Sequence, residues 1–283
     1  MRLFRHGPVG REKPGAFAPD GTMRDLSSLI ADLGEATLGP TELDRLRAAD
    51  LSALPEVAAG TRLGPCVARP GKLVCIGLNY VDHAEEAGMA KPQEPIFFLK
   101  ATSAYSGPND PVRLPRGAEK GDWEVELGVV IGSRASDIEE ADALSHVAGY
   151  CVFNDVSERA FQIERGGQWT KGKSADTFAP TGPWLVTPDE VPDPQNLRLT
   201  LDVNGQRFQD GTTASMIFPV SLLIAYVSQF MTLLPGDIVA TGTPAGVGMG
   251  QRPQRFLRPG DVMRLEIEGL GVQEQKVVAA GAA

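Results

Sequence analysis

Histidine and cysteine are scarce in this 283-residue chain, with three of each. Cys66, Cys75 and Cys151 form an odd set at spacings that fit no metal motif, which excludes a zinc finger and a disulfide framework. Buried free thiols in a reducing cytoplasm are the expectation. Positive charge is also in deficit: 27 Lys and Arg against 36 Asp and Glu give a net charge of −9. An acidic surface repels phosphate backbones and anionic lipid, so nucleic-acid and membrane-surface roles are disfavoured. No run of 18 apolar residues occurs. Residues 216–234 come nearest, but Pro219, Ser221, Ser228 and Gln229 break them, and they read as a buried amphipathic helix. The opening MRLFRHGPVGREKPG has no apolar stretch behind its basic residues, unlike a secretory signal. What the chain has in quantity is carboxylate, which favours oxygen-based chemistry, hard-metal binding included.

At about 150 residues per domain the length allows two domains or one large one. Residues 1–65 read as a small N-terminal domain: strand-like at 1–7, then helix-like at 24–33 and 43–51. A link rich in Ala, Gly and Pro at 55–70 marks a boundary, and 66–283 read as the catalytic body. There the apolar pattern changes to short β-branched or alternating runs at 72–78, 124–130, 147–153, 197–203, 237–240 and 262–268, bounded by Gly, Pro, Asn or Asp. Asn204-Gly205 signals a two-residue hairpin and Gly269-Leu270-Gly271 a second. Helices are expected only around 80–88, 156–165 and 218–233. The fold class is therefore α+β and β-rich, without the regular alternation of a doubly wound sheet.

Glu124 and Glu126 are the strongest local chemical feature. On a strand, residues i and i+2 share a face, about 6.5–7 Å apart, so the two carboxylates converge while Val125 and Leu127 face the other way. An isolated Glu-x-Glu is more often a solvated strand face. Asp155 weighs against that here, because it follows the apolar run 149–153. Three such oxygens suit an octahedral Mg²⁺ or Mn²⁺ with positions left for water and substrate. His83 has Glu86 three residues on, one helical face, and a carboxylate on one ring nitrogen fixes the tautomer and raises basicity. Arg159 and Gln162 lie four and seven residues after Asp155, on one face of the helix expected there. With Lys173 they could hold a substrate carboxylate or enolate. The Gly/Thr-rich stretch 241–248 has neither phosphate-loop nor dinucleotide-loop spacing, and its backbone could approach a small anion closely.

In order along the chain, GLNYVDHAEE (77–86), PIFFLK (95–100), EVELGVVIG (124–132), NDVSER (154–159), KSADTF (173–178) and ATGTPAGVG (240–248) resemble the fumarylacetoacetate hydrolase family. The N-terminal segment further resembles members that act on 2,4-diketo-3-deoxy sugar acids such as the fuconate and rhamnonate, some labelled ureidoglycolate lyase. The resemblance implies a mixed β-roll, a homodimer or a higher homo-oligomer, and Mg²⁺ or Mn²⁺ on Glu124, Glu126 and Asp155. It implies a substrate 2-keto-carboxylate held with Arg159, Gln162, Lys173 and Thr243. It also implies a water oriented and deprotonated by His83 and Glu86, with Lys173 counted among the catalytic groups, and a lid formed by 80–92. The reaction implied is hydrolysis of the C3–C4 bond of an acylpyruvate to pyruvate and a small acid such as lactate, in the cytoplasm, with no nucleic-acid or membrane partner. The alternative is decarboxylation or isomerisation of a 2-oxo di- or tricarboxylate in aromatic catabolism, on the same metal acids.

Overall fold

The computed structural model describes residues 1–281. Its elements, in chain order, begin with β1 (Arg2–His6), β2 (Lys13–Phe17), β3 (Met23–Asp25) and α1 (Pro40–Arg47). The body follows with β4 (Leu73–Gly77), α2 (Val81–Glu86), β5 (Ile96–Lys100), β6 (Val125–Ile131), β7 (Val147–Asn154), α3 (Arg159–Ile163), α4 (Thr170–Lys173) and β8 (Ala179–Val186). It closes with β9 (Arg198–Val203), β10 (Gln206–Thr212), α5 (Val220–Phe230), β11 (Ile238–Ala240), β12 (Val262–Ile267) and β13 (Gly271–Val278). This is the β-rich α+β architecture the apolar pattern predicts.

The main sheet runs β3-β2-β1-β8-β7-β6-β11-β4-β5, and a smaller one runs β10-β9-β12-β13 with the short strand Val112–Arg113 at its edge. β6, β7 and β8 of the main sheet pack against β9, β12 and β13 of the smaller one. Between them Val125, Leu127, Val152, Leu199, Leu201, Met263 and Leu265 are buried. Asn204 and Gly205 both have positive φ, 52° and 77°, as a tight hairpin between β9 and β10 requires. The N-terminal strands are part of the main sheet, since β1 pairs with β8 in the register Leu3↔Leu185.

Register decides where chemistry can occur. β4 and β11 run parallel, with Val74 opposite Val239, while β6 is antiparallel to both β11 and β7. The chain therefore leaves β4, β11 and β7 at the same end of the sheet at which it enters β6. Residues 78–86, 241–248, 154–155 and 124–126 all meet there. Leu78, with φ +54°, turns the chain out of β4, and the side chain of Asn79 bonds the backbone of Thr241 and Phe218 to fix the exit.

Two local expectations change. Residues 24–33 are not helical: β3 passes into turns in which Asp25 and Asp32 accept from nearby backbone N–H groups. Such side chains compete with helical hydrogen bonds. The helix expected from 156 starts only at Arg159, because Ser157–Glu158 pair with Gly121–Asp122 and Glu158 caps it by accepting from the Ala160 N–H. Asp155 thus lies before the helix rather than on its face.

Candidate active site

Glu124, Glu126 and Asp155 are each at most 5% exposed, so the solvated-face alternative does not apply. A carboxylate oxygen from each lies within 4.8 Å of the others. The ladder produces this approach: Val125 faces Asn154, and the Asp155 N–H donates to the Glu124 carbonyl at 3.0 Å. The Gly242 N–H donates to Glu126 at 2.9 Å.

Three buried acids require positive charge. Lys173 Nζ donates to Glu124 Oε2 at 2.5 Å and to Asp155 Oδ2 at 2.8 Å, and Lys100 pairs with Asp155 from another side. Arg159 donates to Glu124 Oε1 at 2.6 Å, to Asp122 Oδ2 at 2.8 Å and to Gln162 Oε1 at 3.0 Å. Burial opposes ionisation of Glu124, yet Arg159 and Lys173 hold its carboxyl far below the usual carboxylate range. Glu126 goes the other way: burial, then the charges of Asp155 and Glu124, push its carboxyl well up. Burial disfavours the Lys173 ammonium, but Asp155 and Glu124 outweigh it and raise its pKa. An all-oxygen donor set of three converging carboxylates fits a hard divalent cation such as Mg²⁺ or Mn²⁺.

His83 and Glu86 lie on α2 as an i, i+3 pair, with Nδ1 and Oε2 3.3 Å apart. His83 is 7% exposed and lines the same cavity as the acids. Glu86 is held from outside its helix, accepting from the Gly246 N–H at 3.0 and 3.2 Å. Gly250 leaves room for it, since a Cβ there would stand 2.1 Å from the Glu86 carboxyl carbon and displace that side chain. Thr243 lines the cavity too, donating to the Val125 carbonyl at 2.9 Å and accepting from Gln209 at 2.8 Å.

Residues 72–278 match the profile of the fumarylacetoacetate (FAA) hydrolase C-terminal family. The chain belongs to the fumarylacetoacetate hydrolase family. Over 281 residues, 99% of this chain and all of the relative, it is 58% identical to a Burkholderia multivorans protein provisionally named a hydrolase. Among solved structures it is similar to maleylpyruvate hydrolase from Sphingobium sp. SYK-6 in complex with manganese(II) ion and pyruvate, at 31% identity, 99% coverage of both chains and a TM-score of 0.82. It is also similar to 5-carboxymethyl-2-hydroxymuconate delta-isomerase from Mycobacterium smegmatis, at 32% identity, full coverage of both and a TM-score of 0.77. Hydrolases and isomerases thus share this family fold.

In this family member the residues singled out from sequence, namely Glu124, Glu126, Asp155, His83, Arg159, Gln162, Lys173 and Thr243, line one cavity, and Glu86 stands behind His83. Three residues that complete the site did not stand out in the sequence. Asp122 is fully buried, receives Arg159 and accepts from the Gly248 and Met249 N–H groups at 2.6 and 3.1 Å, tying the 241–250 segment to the acids. Its signal was the alternation Asp122, Glu124, Glu126. Lys100 closes the PIFFLK strand as its one charge. Gln209 lies on the other sheet and holds the Val125 N–H and Thr243, and nothing local marks it. A larger cavity of about 700 Å³ lies apart, between the N-terminal strands and residues 102–113, and holds none of these acids.

Proposed function

We propose that the chain hydrolyses the C3–C4 bond of 2,4-diketo acids (acylpyruvates) to pyruvate and a second carboxylic acid, with Mg²⁺ or Mn²⁺, as a cytoplasmic homodimer without nucleic-acid or membrane partners. The observation that carries this reading is the His83–Glu86 pair, fixed by Gly246 beside three buried carboxylates. Glu126, Glu124 and Asp155 would hold the ion, which as a Lewis acid supplies stabilisation of negative charge at the substrate's keto oxygen. The manganese and pyruvate in the Sphingobium neighbour support both the ion and the product.

The chain's own groups account for the proton transfers. Glu86 accepts from His83 Nδ1–H, which leaves Nε2 as the base. Nε2 takes a proton from water, the hydroxide adds to the C4 carbonyl, and the C3–C4 bond breaks with its electron pair moving to C3. Return of the proton from His83 to C3 gives pyruvate, so one water is consumed and two acids result. Lys173, Arg159, Gln162 and Thr243 border the space in which the 2-keto acid end would lie. Residues 80–92 would close over it as a lid. Isomerisation and decarboxylation need no activated water, so a built His–Glu pair favours hydrolysis over the reaction named for the Mycobacterium smegmatis neighbour.

The N-terminal resemblance nominates 2,4-diketo-3-deoxyrhamnonate or its fuconate counterpart, each of which would release lactate. Pyruvate release from these and from simple acylpyruvates, followed with lactate dehydrogenase and NADH in the presence of Mg²⁺, tests the reading. Release supports it. No pyruvate from any of them, with CO₂ or an isomer formed from a 2-oxo di- or tricarboxylate, overturns it.

A further inference from the structure

The buried acids stand at the pyruvyl end of the proposed substrate, and the other end meets the cavity wall. The cleft beside the acids, partly open to solvent, measures about 100 Å³. That is the scale of the three-carbon acid alone, so the acyl tail must leave over the rim. The lining away from the acids is apolar: Met89, Phe98, Ile163, Trp169 and Met249. Met89 and Ile163 come from separate segments and are 51% and 50% exposed. Trp169 is fixed edge-on to Phe98, ring centroids 5.5 Å apart, and it packs so closely on Gly77 that a Cβ there would stand 2.4 Å from the indole.

Most polar groups of the lining gather at the acid end. Arg159 donates to Asp122, Glu124 and Gln162, and Lys173 to Glu124 and Asp155, so both cations are held at the acid end of the cavity, away from the rim. The Thr243 hydroxyl is bonded on both sides, and the Gln162 carbonyl accepts from Arg159. Apart from His83, kept for water, the Gln162 amide NH₂ and the Trp169 indole N–H remain as polar groups for a tail. A buried hydroxyl or carboxylate without partners costs free energy, whereas methylenes laid on Met89, Ile163 and Met249 gain it.

We infer that the substrate class is acylpyruvates with an apolar acyl tail of about four carbons or more, the tail lying on a rim formed by Met89, Ile163, Trp169 and Met249. This rests on the acylpyruvate reading but sets an apolar tail against the hydroxylated tail that the N-terminal resemblance nominates, and the experiment separates the two. kcat/KM is measured by pyruvate release for acetyl-, butanoyl-, hexanoyl-, isobutyryl- and lactylpyruvate and for fumarylpyruvate. The expected rise is roughly threefold per methylene, so hexanoylpyruvate exceeds acetylpyruvate by tenfold or more. Isobutyrylpyruvate exceeds lactylpyruvate, in which a hydroxyl replaces one methyl, and fumarylpyruvate is poorest. A flat series, or lactyl- or fumarylpyruvate at the top, overturns the inference and leaves hydrolysis standing; no pyruvate from any member defeats hydrolysis itself. Ile163→Ser and Met249→Ser are expected to narrow the hexanoyl-to-acetyl ratio, and an unchanged ratio in both overturns the placement of the tail.

Discussion

At the scale of single residues the site is a problem of charge in a dry place. Three acids converge, and Lys173, Lys100 and Arg159 gather on them because uncompensated carboxylates would not remain ionised there. A hard divalent ion adds to that compensation. Saturation at a hundredfold over Kd is expected to stabilise the fold by about 2.7 kcal/mol, several degrees of Tm in a chain of this size. Differential scanning fluorimetry with Mg²⁺ and Mn²⁺ should show that rise in the wild type and lose it in Glu124→Ala; a rise that persists in the variant contradicts the acid triad. His83 has a different task. His83→Ala should lower kcat by about 10²–10⁴-fold, the usual worth of a positioned base, while titration calorimetry still detects pyruvate or oxalate binding with Mg²⁺. Turnover near the wild-type rate would remove the histidine from the mechanism.

At the scale of elements, the segment after β11 connects the two halves of the machinery. Its Gly242 N–H serves Glu126, its Gly246 N–H serves Glu86, and Gly248 and Met249 bind Asp122. Two glycines in it are constrained for different reasons. Gly246 has φ +109°, and a Cβ would stand 2.0 Å from the Phe208 carbonyl, so backbone must move. At Gly250 the three atoms nearest a Cβ all belong to the Glu86 side chain. Gly246→Ala should therefore lower both Tm and activity. Gly250→Ala should keep Tm within a few degrees and cut kcat by tenfold or more, since misplacement by about 1 Å can cost 10²-fold. Equal losses of stability in the two variants would contradict this division. The same segment marks how far sequence reasoning reached. Strands with a β-branched or alternating pattern were legible, as was the Asn204-Gly205 hairpin. β8 was not, because APTGPWLV holds two prolines and a glycine and owes its strand state to pairing with β1 and β7. Acids at i, i+2 spacing and the His–Glu pair were legible because their partners are local. Asp122 and Gln209 act through contacts made only once the sheets and loops meet, and Lys100, 55 residues from Asp155, does the same.

At the scale of the whole molecule, acidification brings two opposing effects. Toward the isoelectric point near 5.0 the net charge of −9 shrinks and self-repulsion with it, which favours the compact state. His6 works in the opposite sense. It closes β1 opposite Lys13, its ring is 7% exposed, and its Nε2 is buried without a hydrogen-bond partner, 3.6 Å from Asp25. Burial lowers its pKa, Lys13 adds to the lowering, and Asp25 only partly offsets it. Above the unfolded pKa of about 6.5 both states hold His6 neutral, and its contribution to stability is intact. As pH falls below that value the unfolded chain takes up a proton that the folded chain resists, so stability is lost until the lower folded pKa is reached. Urea unfolding at pH 7.5 and 5.5 measures the sum of the two effects. His6→Gln, which cannot titrate, isolates the second: the variant should lose less stability, or gain more, on going from pH 7.5 to 5.5 than the wild type. Parallel behaviour of the two proteins across that interval would show that the N-terminal strands are not where the fold senses acid.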